Sequence, residues 1–91
     1  MAKHTLKGFA SDGGVLLDGE NLSPKRSQKV YNHSPDGFNW GYGGSGPAQL
    51  ALAVCLELLS KDEAFGCYQQ FKREVIVGLP YGKDFEIEFE M

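Results

Sequence analysis

From Pro47 to Leu59 the chain is apolar on almost every side of a helical projection. Ala48, Leu50, Ala51, Leu52, Val54, Cys55, Leu56, Leu58 and Leu59 leave only Gln49, Ala53, Glu57 and Ser60 as a narrow stripe for water. A helix that is apolar nearly all round has to be covered on several sides. It is too short to cross a bilayer. The remaining residues must therefore cover it with a sheet and another helix, or with a second subunit. Pro47 suits the first helical position, where its missing N–H is no loss, and Ser45 or Gly46 is the expected cap.

The segment leading into this helix is Gly37-Phe38-Asn39-Trp40-Gly41-Tyr42-Gly43-Gly44-Ser45-Gly46, and it holds the only tryptophan of the chain. No regular period is visible in it. With the turn-forming Asn32-His33-Ser34-Pro35-Asp36 before it, the irregular stretch is about fifteen residues long, a length associated with functional or specially packed loops. Such a loop could cradle an anion at the helix start, where free N–H groups and the helix dipole favour negative charge. It lacks the lysine of a P-loop, and no strand–loop–helix unit of the dinucleotide-binding type surrounds it. The competing expectation is structural: glycines let backbone approach a buried helix closely.

The rest of the chain reads as scaffold. His4 to Ala10, Val15-Leu16-Leu17 and Glu20-Asn21-Leu22 are expected to form a β-meander, with a turn at Ser11-Asp12-Gly13-Gly14 and a hairpin at Asp18-Gly19. Lys25 to Lys29 is polar and is expected to be a surface connection, and Val30-Tyr31 a short extended piece. Ser60-Lys61-Asp62-Glu63 has the pattern of a capping box. A second helix should follow it to about Val77, with Ala64, Cys67, Tyr68, Phe71 and Val75 on its apolar face. Gly78 and Leu79-Pro80 end it. Phe85, Ile87, Phe89 and Met91 alternate with Glu86, Glu88 and Glu90, the period of a half-buried strand. The expected fold is a single α+β domain over residues 1–91, with a small antiparallel sheet (the meander plus the C-terminal strand) packed on two helices.

Charge and cysteine usage narrow the function classes. Nine basic residues against twelve acidic give a net charge of −3, which does not favour broad binding to phosphate backbones. No run of about 18 apolar residues implies a membrane span, and the start has no apolar segment of the secretory type. A cytoplasmic protein is expected, with Cys55 and Cys67 as reduced thiols. Two histidines and two cysteines so spaced do not suggest zinc, and no metal or cofactor is expected.

Chemistry-bearing residues are few. His33, Ser34, Asp36 and Ser45 do not make a hydrolytic set, because Gly44-Ser45-Gly46 lacks the spacing of a nucleophile elbow. His33 is expected to hydrogen-bond within the turn. Trp40 and Tyr42 are aromatics on a loop, a type that anchors interfaces, although Trp40 could equally close the core. Glu86, Glu88 and Glu90 read as a solvated face that protects an edge strand, or as a negative strip for a basic partner.

The motif Asn32-His33-Ser34-Pro35-Asp36-Gly37-Phe38, continuing through Trp40-Gly41-Tyr42-Gly43-Gly44-Ser45-Gly46-Pro47-Ala48-Gln49-Leu50-Ala51-Leu52-Ala53, resembles the signature of the domain of unknown function 6166, a small family of bacteria, phages and mobile elements. Tyr68-Gln69-Gln70-Phe71-Lys72-Arg73-Glu74-Val75 with Leu79-Pro80, the Lys7-Gly8 opening and the Asp18-Gly19 hairpin are similar as well. The acidic C-terminal strand is not part of that likeness. The resemblance implies an accessory protein encoded by a phage or mobile element that acts on a host protein or complex, and by inhibition in one version of this reading. The function expected is thus a non-enzymatic binding module, with Trp40, Tyr42, His33, Gly43, Gly44, Ser45 and Gly46 as binding residues. The alternative is a small anion- or nucleotide-binding protein using the glycine-rich loop. A homodimer through the apolar helix is a further possibility.

Overall fold

A computed structural model describes residues 2–91. Four antiparallel strands form one sheet in the order β3-β2-β1-β4: β1 is Lys3–Phe9, β2 Gly14–Leu17, β3 Glu20–Asn21 and β4 Phe85–Glu90. The Asp18-Gly19 hairpin has positive φ at both central residues (52° and 82°), the geometry whose twist matches that of the flanking strands. The Asp18 carboxylate also ties this turn to β1, accepting from the Thr5 N–H at 2.9 Å and meeting His4 Nδ1 at 2.6 Å. These bonds hold the Asp18 carboxyl below its ordinary value, the His4 contact contributing most.

Alternation in β4 works as the sequence predicts. The register sets Phe85, Ile87 and Phe89 beside Gly8, Leu6 and His4, and sets Glu86, Glu88 and Glu90 beside Lys7, Thr5 and Lys3. One face of the sheet is therefore apolar and carries the helices, while the other is charged and wet.

Three helices cover the apolar face: α1 (Lys25–Val30), α2 (Ser45–Leu58) and α3 (Lys61–Phe71), the last running into a π turn at Lys72–Ile76. Every residue of α2 from Gly46 to Leu56 is buried, because the sheet, α1 and α3 each take a side of it. The helix begins at Ser45, with Gly44 as its cap in extended conformation, rather than with Ser45 or Gly46 as cap. Pro47 is thus the third residue, still within the turn that can spare an N–H. The capping box of α3 is complete, Ser60 Oγ accepting from the Glu63 N–H and Glu63 Oε1 from the Ser60 N–H, both at 3.2 Å.

Two expectations fail together. Lys25 to Lys29 is not a connection but most of α1, and Val30-Tyr31 is not an extended piece: Val30 closes the helix and Tyr31 is its extended cap. This short helix covers the stripe of α2 expected to face water. Gln49 and Ala53 are buried, and only Glu57 and Ser60 remain exposed. The two-helix expectation becomes three helices for the same reason.

The π turn also has a structural consequence. Its wide hydrogen bond runs from the Val77 N–H to the Lys72 carbonyl at 2.9 Å, and the Ile76 carbonyl then accepts the Gly41 N–H at 3.0 Å. A single widened turn, the form π helix normally takes, thereby ties the end of the α3 segment to the glycine-rich loop.

Candidate functional site

The loop before α2 is held from beneath by one side chain. Gln49 is 0% exposed and satisfies all four of its hydrogen-bonding directions. Its Oε1 accepts the backbone N–H of His33 at 2.7 Å and of Ser34 at 2.9 Å. Its Nε2 donates to Ser27 Oγ at 2.9 Å and to the Tyr31 carbonyl at 3.1 Å. Ser27 in turn donates to the Pro24 carbonyl at 2.8 Å. A buried amide is tolerated in a core only when its polar atoms are partnered, and here the partners are the end of α1 and the start of the loop. Gln28 adds an outer tie, its Nε2 donating to the Ser34 carbonyl at 2.8 Å.

What this clamp presents is a row of rings. Tyr31 stacks on His33 with centroids 4.3 Å apart, His33 tilts against Tyr68 at 5.6 Å, and Tyr68 meets the edge of Phe65 at 5.9 Å. His33 Nε2 lies 2.9 Å from Tyr68 Oη, which fixes the imidazole in place. Tyr68 is buried, whereas the ends of the row, Tyr31 at 53% and Phe65 at 39%, stand in solvent. Burial first, and then the Lys72 cation, hold the His33 ring below the ordinary imidazole value, so it is neutral near pH 7. The ring's partner is a tyrosine hydroxyl rather than a serine, so His33 is not assembled with Ser34, Asp36 or Ser45 as a catalytic set.

The glycine-rich segment is differently used. Trp40 is 2% exposed, donates its indole N–H to the Lys83 carbonyl at 3.0 Å and packs edge-on against Phe85 at 4.9 Å. It closes the core, and only an edge of it lines a small cleft beside Phe38, Asn39 and Tyr81, so it presents little surface to a partner. Gly41 has φ +84°, and a Cβ there would stand 2.6 Å from the Tyr81 backbone. Tyr42 folds back across the start of α2: a Cβ on Gly44 would lie 2.3 Å from its ring, and one on Gly46 3.2 Å from its hydroxyl. These glycines serve close approach. Gly46 is buried under Asn39 and Tyr42 and Pro47 has no N–H, so Ser45 is the one exposed member of the first turn. That leaves little of the free N–H array an anion cradle needs. Tyr42 does reach solvent, where it meets Tyr81 edge-on at 5.5 Å, and Gly43 is exposed with nothing near it.

Of the residues singled out by sequence, His33 and Tyr42 therefore lie on aromatic surfaces, and Trp40 lies in the core. Sequence reasoning missed Gln49, Tyr68 and Phe65. Cys55 is a buried free thiol and Cys67 a half-buried one, and burial together with the neighbouring Cys67 pushes the Cys55 thiol far up, where it is inert. Among the described residues no group of three His, Cys, Asp or Glu side chains could hold a metal ion. No helix among them is long and apolar enough to cross a membrane.

The profile of the family of unknown function DUF6166 matches residues 6–90. A search of curated proteins and a search of solved structures each found no match. The chain belongs to the DUF6166 family, the one its loop signature resembles, and the match takes in the acidic strand Phe85–Glu90 that the expected likeness left out.

Proposed function

We propose that this member of DUF6166 is a non-enzymatic binding module that docks on a protein through the ring row Tyr31–His33–Tyr68–Phe65. One observation carries the reading: a fully buried, fully bonded glutamine fixes the segment that sets Tyr31 and His33 against Tyr68 and Phe65 of α3, and the two end rings are exposed. Aromatic side chains held rigid at a surface give large contact area at low cost in side-chain ordering. Tyrosine is among the residues that dominate interface energies. The Tyr42–Tyr81 pair supplies a second aromatic contact. In this reading the protein works in the cytoplasm, is encoded by a phage or mobile element, and inhibits a host protein by occupying its surface.

Immobilised protein tests the reading in host lysate. The wild type should retain a partner that the double variant Tyr31→Ser/Phe65→Ser does not, with melting temperatures of the two alike because both rings are exposed. Equal retention by both would sink the assignment of the ring row.

A further inference from the structure

A different face carries an inference of its own. β4 is an edge strand, and its pairing with β1 determines which of its backbone groups are used. Ala2 and Met91 exchange both of their hydrogen bonds, at 3.1 and 3.0 Å. In an antiparallel ladder bonded and non-bonded pairs alternate. His4/Phe89, Leu6/Ile87 and Gly8/Phe85 are therefore the bonded pairs in this register. The N–H and C=O groups of Glu86, Glu88 and Glu90 consequently point away from the sheet, along its open edge.

Beside that edge the helix layer is incomplete. A groove of about 480 Å³ runs between α3 and the end of β4, lined by the apolar Leu59, Cys67, Phe71 and Met91 together with Gln70, Glu74 and Glu90. Ile87, Phe89 and Met91, on the same face, are only half-buried. An open ladder with an apolar groove on its inner side is the arrangement by which extended peptides add a strand: main-chain bonds give affinity and alternate side-chain positions give selectivity.

The charges select the occupant. Glu86, Glu88 and Glu90 stand in a row on the outer face, and the ion pairs among the described residues, His4–Asp18 and Arg26–Glu57, involve none of them. A second copy pairing through β4 would set glutamates beside glutamates, a destabilising cross-strand arrangement. A strand with Lys or Arg at every second position would meet the glutamates instead, and its intervening apolar side chains would enter the groove. We propose that the β4 edge binds an extended segment of a partner protein in which basic and apolar residues alternate, added as a fifth strand. This surface shares no residue with the ring row, so the two assignments stand or fall separately.

A heptapeptide alternating Lys with Val is the probe, followed by amide chemical shifts of the labelled protein at low ionic strength. The same residues arranged as a block of Lys and a block of Val form the control. The expected result is saturable shifts at Glu86, Glu88 and Glu90 and around Phe71 and Met91. The block peptide should bind at least tenfold more weakly, and so should the alternating peptide to the exposed-site variant Glu86→Lys/Glu88→Lys. Binding that does not distinguish the two peptides, shifts spread over Asp12, Glu20 and the other acidic residues, or no shifts at all would overturn the proposal. So would a dimer of the protein alone that the Glu86→Lys/Glu88→Lys variant abolishes.

Discussion

Gln49→Leu replaces the clamp with a side chain of similar size and no polar atoms, and its cost follows from the four bonds. The Ser34 N–H loses its one partner among the described residues. The His33 N–H keeps a longer bond to the Tyr31 carbonyl at 3.1 Å, and Ser27 keeps its bond to the Pro24 carbonyl at 2.8 Å. Leaving one N–H unpaired in a low-dielectric site costs about 1–3 kcal/mol, and each of the other three lost bonds about 0.5–1.5 kcal/mol. The sum is roughly 2.5–7.5 kcal/mol, a large part of the ~5–15 kcal/mol that holds a typical domain together. For a chain of this size 1 kcal/mol corresponds to about 4–8 °C in Tm, so the variant should melt at least ~10 °C lower, or fail to fold. Thermal unfolding followed by circular dichroism measures this directly. Gln49→Glu is the companion variant. Its carboxylate still accepts from His33 and Ser34, but it cannot donate to Ser27 or Tyr31 and it buries a charge, so it too should be destabilised at pH 7. A drop of less than ~4 °C for Gln49→Leu would refute the view that this side chain holds the loop.

Other consequences of the packing can be checked in the same way. Gly41→Ala places a methyl 2.6 Å from the Tyr81 backbone at φ +84°, so denaturant unfolding should show a loss of at least ~1–3 kcal/mol. Gly43→Ala, which has nothing within 4 Å of the new methyl, should stay within ~0.5 kcal/mol of wild type. His33 should titrate below the ordinary imidazole value in an NMR pH series, and Lys72→Met should raise its midpoint, because desolvation and Lys72 both disfavour the imidazolium. The folded-state value lies below that of the unfolded chain, so unfolding takes up the proton. The contribution is then complete above about pH 6.5 and declines as the pH falls from there toward the folded-state value. His33→Asn should flatten that part of the Tm profile.

Much of the scaffold was legible because it depends on local rules. The Asp18-Gly19 hairpin, the Ser60–Glu63 capping box and the alternation from Phe85 to Met91 each announce themselves within a few residues. Helix α1 did not, since Lys25–Val30 has no apolar period and buries only Ser27 fully. Its purpose lies in α2, where Ser27 meets Gln49, and that pairing spans 22 positions. Gln49 itself looked wet for the same reason: a helical projection sorts residues by polarity and cannot show that a polar atom has found partners. The ring row was hidden more deeply: Tyr31 and His33 lie two apart in one segment and Phe65 and Tyr68 three apart on α3, and nothing in the sequence relates the two pairs. Trp40 was the hardest to place from sequence, as a tryptophan among glycines fits an interface anchor and a core plug equally well. The Lys83 carbonyl and the Phe85 ring, more than forty positions away, decide it.

In the proposed binding mode the rings, and not the glycine-rich start of α2, make the contact with a partner. Comparing partner retention by Tyr31→Ser/Phe65→Ser with retention by Gly43→Asp tests it most directly. Gly43 is exposed and unencumbered, so the aspartate adds a negative charge where an anion would bind and leaves the ring row untouched. The ring variant should lose the partner and the Gly43→Asp variant should keep it. Loss with Gly43→Asp and retention by the ring variant would contradict that binding mode and return the loop amides to the centre of the function.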